Sequence, residues 1–296
     1  MTEQGVRRVF GLAGRLPLSV AHTLGVMLGL VAAAFPNRMR EVTRRNLALC
    51  FPHISLPERR RLERQSLIET GKTLCEAPIF WRKPRKTVLD LVRETPGIEA
   101  VRQAHAEGRG IVLLTPHFGA WELGGLYCSS QWPMTILYKP PKKAALDAPI
   151  REGRARFGAA VVPTDASGVR ALLRGLKNAE AVGILPDQEP TEGEGVFAPF
   201  LGHPALTMTL PMRLLARTRG ERQARVFLTI TERLPHAHGF RQHFMPAEDD
   251  IYSDDMQLAT AALNRGVEAC LRVAPEQYQW SYKRFRQRPE GLPEVY

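Results

Sequence analysis

Through the centre of the chain, short β-branched or Leu-rich runs alternate with longer stretches of helical character. The apolar runs are residues 110–115, 134–138, 160–162, 181–185 and 224–231. Each has the length and composition of a strand buried in a sheet. Between them, residues 98–107, 121–130, 142–157, 168–178 and 209–219 read as helices. Alternation at this spacing predicts an α/β fold, a sheet with helices on both faces. Ser55, Leu56, Pro57 and Glu58 mark a helix start, and that helix is expected to run to about Cys75. A last helix, about 254–273, follows Ser253 and stops at Pro275.

The N-terminus breaks this pattern. Residues 16–35 are twenty positions without Lys, Arg, Asp or Glu, rich in Leu, Val and Ala. As one helix they would reach about 30 Å, roughly the thickness of a bilayer core. Three readings are open: a signal peptide using Arg7, Arg8 and Arg15 with cleavage at Ala32 to Ala34, a buried core helix, or a membrane anchor that spans or lies in one leaflet. The next stretch, 37–64, holds eight Arg against three Glu. Arginines directly after an apolar helix suit anionic lipid head groups, so the expectation is an anchor over 1–36 and a catalytic domain over 37–296.

Composition adds limits. With 296 residues, 44% hydrophobic and 24% charged, the chain has an ordinary globular balance. Cys50, Cys75, Cys128 and Cys270 are scattered, which argues against a disulfide scaffold or a structural zinc site. The net charge of +11 admits nucleic acid, an acidic membrane surface, or acidic substrates and partners. Its arginines cluster beside the apolar run and no nucleic-acid motif is present, so no nucleic-acid partner is expected.

Several catalytic patterns fail. Gly71, Lys72 and Thr73 resemble the end of a phosphate-binding loop, but Ser66 stands at the first glycine. Asp165 occupies the glycine position that a nucleophile elbow at Ser167 requires. No metal site is expected. What remains is the segment from Leu113 through Thr115, Pro116, His117, Phe118, Gly119 and Trp121 to Glu122. Here His117 stands at the carboxyl end of a strand, and Glu122 falls in the first turn of the next helix. A carboxylate there is expected to orient one imidazole nitrogen and leave the other to take a proton from a hydroxyl. Backbone N–H groups near Gly119 are candidate oxyanion donors. The spacing alone is weak, since His53 with Glu58 and His243 with Glu248 repeat it. Asp187 and Gln188 end another strand on the same sheet edge and are candidate substrate-binding residues, Asp187 holding an Arg or a sugar hydroxyl or else capping a loop; the apolar stretch 196–201 is a candidate acyl-chain tunnel or plain core.

This segment resembles the active-site block of the bacterial lipid A biosynthesis acyltransferases, the lauroyl/myristoyl branch of the lysophospholipid acyltransferase superfamily, in which HX4E replaces the commoner HX4D. Further blocks agree in order: Asn46 to Pro52, Leu185 to Gln188, Gly195 to Gly202, and Pro275 to Phe285 with Arg288 to Gly291. Lys139 stands where the family commonly has Arg, and Ser281 and Tyr282 stand where a His often precedes the basic pair. The resemblance implies a glycerolipid-acyltransferase-like mixed central sheet flanked by helices, with an N-terminal membrane-anchoring helix. It implies transfer of a fatty acyl chain from acyl carrier protein to a hydroxyl of a Kdo-bearing, phosphorylated lipid A precursor, through a His117–Glu122 dyad without a covalent intermediate. No cofactor is implied beyond the acyl-acyl carrier protein co-substrate. Arg154 matches a family arginine near the catalytic pair, and it and Lys139 are assigned to substrate phosphate or the oxyanion. The implied location is the cell inner membrane, with the catalytic domain on its cytoplasmic face among anionic lipids. The alternative is an acyltransferase for another lipid, a lysophospholipid or aminolipid.

Overall fold

The structure, a computed structural model, describes residues 2–191, 193–220 and 222–296. In chain order the elements are α1 Glu3–Ala13, α2 Leu18–Ala34, α3 Arg38–Cys50, α4 Leu56–Arg82, α5 Arg85–Leu89, β1 Val92–Glu94, α6 Ile98–Ala106, β2 Ile111–Leu114, α7 Trp121–Gln131, β3 Met134–Tyr138, α8 Asp147–Ala155, β4 Ala160–Pro163, α9 Ala166–Lys177, β5 Ala181–Ile184, β6 Gly195–Phe200, β7 His203–Met208, α10 Leu210–Ala216, β8 Arg225–Arg233, β9 Phe240–Pro246 and α11 Met256–Leu271. Seven strands form one sheet in the order β1-β9-β8-β2-β5-β3-β4, while β6 and β7 make a separate antiparallel hairpin. Within the seven-stranded sheet the β8–β9 pair is antiparallel and the other pairs are parallel. The sheet is therefore mixed and flanked by helices, as expected. Its centre, β2 and β5, is buried at every position, which is why both read as unbroken apolar runs.

Helix α4 outruns the expected stop near Cys75. Ser55 caps its start: the Glu58 N–H donates to the Ser55 hydroxyl, and Glu58 accepts from the Ser55 N–H. It then continues through Pro78 to Arg82 because Ala77, Pro78, Ile79, Phe80 and Trp81 are all buried. Packing there outweighs the hydrogen bond that a proline removes.

The N-terminal expectation needs correction. The apolar run is not one spanning helix: α2 has 17 residues, about 25 Å, and meets α1 at a bend of 117°. Among the described residues no single helix is long and apolar enough to cross a membrane. Three glycines hold α2 against α4. A Cβ on Gly25 would sit 2.5 Å from the Lys72 Cα, one on Gly29 2.3 Å from the Ile68 Cα, and one on Gly71 2.1 Å from the Gly25 carbonyl oxygen. Helices α2 and α4 thus touch backbone to backbone. Below this contact the His22 ring meets Glu76 at 2.7 Å, and the buried Arg233 of β8 bonds Glu76, Glu69 and Thr73. Burial alone would raise the Glu76 pKa, but the Arg233 and His22 charges and hydrogen bonds leave it below the usual carboxylate range. The opposite face of α2 is exposed and apolar: Val20, Leu24, Met27, Leu28 and Val31, with Phe35 following.

Candidate active site

Two adjacent central strands converge at one sheet edge. The strand β2 ends at Leu114 and β5 at Ile184, paired residue for residue, and each is followed by a proline, Pro116 or Pro186. His117 and Asp187 therefore leave the sheet side by side. One Asp187 oxygen accepts the His117 backbone N–H at 2.9 Å and the other lies 2.9 Å from the imidazole Nδ1. Burial would raise the Asp187 pKa; the His117 charge and these hydrogen bonds reverse that and hold the carboxyl below its ordinary value. An ionised Asp187 makes Nδ1 the protonated nitrogen. The free Nε2 accepts from the Gln188 carboxamide at 3.2 Å, whose Nε2 also donates to Gln279 Oε1 at 3.2 Å. A neutral, weakly held amide is the group that an incoming hydroxyl would displace.

The expected His117–Glu122 contact is absent among the described residues, a correction to the dyad. Glu122, in the first turn of α7, is turned toward α8, where Arg154 Nε lies 3.0 and 3.2 Å from its two oxygens and Nη2 bonds it as well. Burial of Arg154 would lower its pKa, but the Glu122 charge and hydrogen bonds raise it, so the guanidinium stays charged over the Tyr138 ring. The pair shares the sheet edge with His117 but forms its own unit. No His-x4-Glu spacing in the sequence makes a contact among the described residues: Glu58 bonds Ser55, and His243 pairs with Glu232 at 2.8 Å.

Gly119 is a second correction. Its φ of +54° is left-handed, and a Cβ would lie 2.0 Å from the Thr231 carbonyl oxygen, so glycine is required for the loop to cross β8. Its N–H is already committed to the Gln277 carbonyl at 2.9 Å, and it offers no oxyanion donor. Lys139 is exposed beyond the end of β3 and makes no hydrogen bond or ion pair among the described residues.

The stretch 196–201 belongs to the β6–β7 hairpin, with Phe200 buried against Tyr278 and Phe285 in the core. The apolar cavity lies elsewhere. About 350 Å³ opens between α1, α4, α7 and α8, lined by Phe10, Leu74, Trp81, Trp121, Ile150 and Tyr278, with Glu122 and Gln279 at its polar side. It adjoins the histidine through Trp121, whose ring centroid is 5.2 Å from that of His117, and Gln279, whose N–H donates to the His117 carbonyl. Sequence reasoning did not single out Gln279, Trp81 or Phe10 as site residues. Gln279 lay in a recognised C-terminal block, whereas Phe10 and Trp81 carried no local signal.

The family described as "Bacterial lipid A biosynthesis acyltransferase" matches residues 8–287. The chain is 32% identical over 288 residues to the lipid A biosynthesis lauroyltransferase of Escherichia coli (strain K12), covering 97% of this chain and 92% of that protein. It is 30% identical over 282 residues to the palmitoleoyltransferase of the same organism, covering 95% and 90%. With the myristoyltransferase of that strain the identity is 23% over 268 residues, covering 88% and 81%.

Proposed function

This chain belongs to the bacterial lipid A biosynthesis acyltransferases and is an acyltransferase; from that premise we propose that it moves a fatty acyl chain from acyl carrier protein to a hydroxyl of a phosphorylated lipid A precursor, with His117 as base and Asp187 as its orienting partner. The observation carrying this reading is the imidazole held at Nδ1 by a buried, ionised carboxylate while Nε2 faces a displaceable amide. The acceptor hydroxyl replaces Gln188 at Nε2, gives up its proton there, and its oxygen attacks the thioester carbonyl. The tetrahedral intermediate collapses by breaking the C–S bond, and the thiolate takes the proton back from Nε2. No acyl-enzyme forms. The displaced Gln188 N–H groups then serve the oxyanion. The cavity beside Trp121 receives the acyl chain, and the Glu122–Arg154 ion pair closes its polar side.

The exposed apolar face of α2 lies in the membrane surface rather than crossing it, next to the arginines of α3 and α4. On this reading the enzyme works at the cytoplasmic side of the inner membrane, where anionic lipids and the carrier protein meet. The test is reconstitution of purified protein with an acyl carrier protein thioester and the glycolipid acceptor. One added acyl chain by mass spectrometry, absent in His117→Ala, is expected. Acylation of a phospholipid or aminolipid instead would overturn the acceptor assignment.

A further inference from the structure

A second concavity lies beside the C-terminal segment that follows Gln279. It is a groove of about 460 Å³ between the start of α3 and the C-terminal segment, lined by Arg38, Met39, Val42, Tyr282, Lys283 and Arg286, together with Ser281. Its lining carries three cations and no carboxylate, over an apolar floor of Met39 and Val42. Arg286 is paired with Glu189, but Arg38 and Lys283 make no ion pair among the described residues. Lys283 is braced instead by the Tyr296 ring, 4.9 Å below its Nζ.

The groove is joined to the base. The Glu189 N–H donates to the Tyr282 hydroxyl at 3.0 Å, and Glu189 directly follows Gln188, which donates to His117 Nε2. The groove also begins where the exposed apolar face of α2 ends: Phe35 is followed by Pro36 and Asn37, and Arg38 opens α3. A molecule whose chains lie along α2 and whose polar end turns in at Arg38 would arrive next to the base.

We infer that this groove is the site for a phosphate group of the acceptor glycolipid, recognised by Arg38 and Lys283, with Met39 and Val42 against the adjoining chain or sugar face. The inference rests on the acceptor class proposed above. Two unpaired cations over an apolar floor match an amphiphile with a phosphate headgroup. A folded acidic protein would instead need a broad, protruding basic surface. Guanidinium and ammonium groups bind phosphate through charge-assisted hydrogen bonds, and removal of one is expected to weaken binding about tenfold.

The test uses the purified full chain in mixed micelles with a fixed acyl carrier protein thioester, and as acceptors a bis-phosphorylated lipid A disaccharide precursor and its mono-phosphorylated form. Arg38→Ala and Lys283→Ala are each expected to raise the acceptor KM about tenfold and to erase the preference for the bis-phosphorylated acceptor, with the donor KM unmoved. Lys283→Arg should restore it. Lys177→Ala, on the exposed end of α9 and remote from this sheet edge, removes the same charge as a control and should change neither constant. An unchanged acceptor KM in both alanine variants overturns the assignment. So does a raised donor KM, which would give the groove to the carrier protein. Reduced binding to anionic vesicles with unaltered micellar kinetics would assign it to bulk phospholipid and equally overturn it. A wild-type enzyme that acylates neither glycolipid overturns the proposed function together with this assignment.

Discussion

Among the described residues two histidines pair with a fully buried carboxylate, and only one of them leaves its other ring nitrogen facing a cavity. His22 meets Glu76 at 2.7 Å and His117 meets Asp187 at 2.9 Å, so distance does not separate them. The partners do. Glu76 is shared with Arg233, a permanent cation that completes a closed network joining α2, α4 and β8. Asp187 accepts from the His117 backbone N–H and lies against the ring Nδ1, with the buried Tyr278 phenol beside it and no arginine bonded to it among the described residues. The other His117 nitrogen faces a neutral amide beside a cavity, whereas the His22 ring packs edge-on against Phe240. A carboxylate shared with arginine locks elements together; one set against a ring whose far nitrogen is open suits the proposed base.

Breaking each pair should show that difference. His117→Ala and Asp187→Asn are expected to lower kcat by about 10²–10⁴-fold while the unfolding midpoint in urea stays near wild type. His22→Gln should do the reverse, losing stability and keeping kcat; a His22 variant as inactive as His117→Ala would dissolve the contrast. Arg233→Met takes the arginine from both carboxylates, leaving the buried Glu76 only His22 and Glu69 only Lys72, and is expected to cost about 3–5 kcal/mol in denaturant titration. Gly71→Ala should cost about 1–3 kcal/mol by forcing α2 off α4, read as early protease cleavage within residues 1–36. The Glu122–Arg154 unit supplies a sharper measure. A double-mutant cycle of Glu122→Gln with Arg154→Met should give a coupling energy of about 0.5–3 kcal/mol, and the cycle of Glu122→Gln with His117→Ala much less. Coupling to His117 instead would restore the dyad expected from sequence.

The smallest effect is the pH dependence of the structural pair. The folded pKa of Glu76 lies below its unfolded value of about 4.3, so its stabilisation is complete above that pH and is lost as pH falls through the folded value. Denaturation midpoints between neutral and acid conditions should fall more steeply for wild type than for Glu76→Gln.

The sequence was informative about strands and poor about pairs. The expected runs at 134–138 and 181–185 match β3 and β5 closely because buried parallel strands are uninterrupted apolar stretches. Strand β9 alternates buried and half-buried positions, and β1 has only three residues, so neither announces itself as clearly. His117, Glu122, Asp187, Gln188 and Arg154 were all identifiable as candidates, yet their partners were not. Asp187 reaches His117 only because β2 and β5 are neighbours in the sheet, an adjacency spanning 70 positions that no local spacing encodes. Five residues of separation placed Glu122 near His117 in the chain but left open the rotation of α7, which turns the carboxylate toward α8.

Helix α1 gives the N-terminus a second consequence. Phe10 lines the cavity and lies 5.4 Å from Trp81, while Arg7 clamps Glu152 on the same helix that carries Arg154. The opening segment therefore also closes one side of this cavity. Shortening the protein at its front end would uncork that cavity, so on the proposed function a trimmed enzyme would lose a wall of its acyl site together with its apolar N-terminal surface.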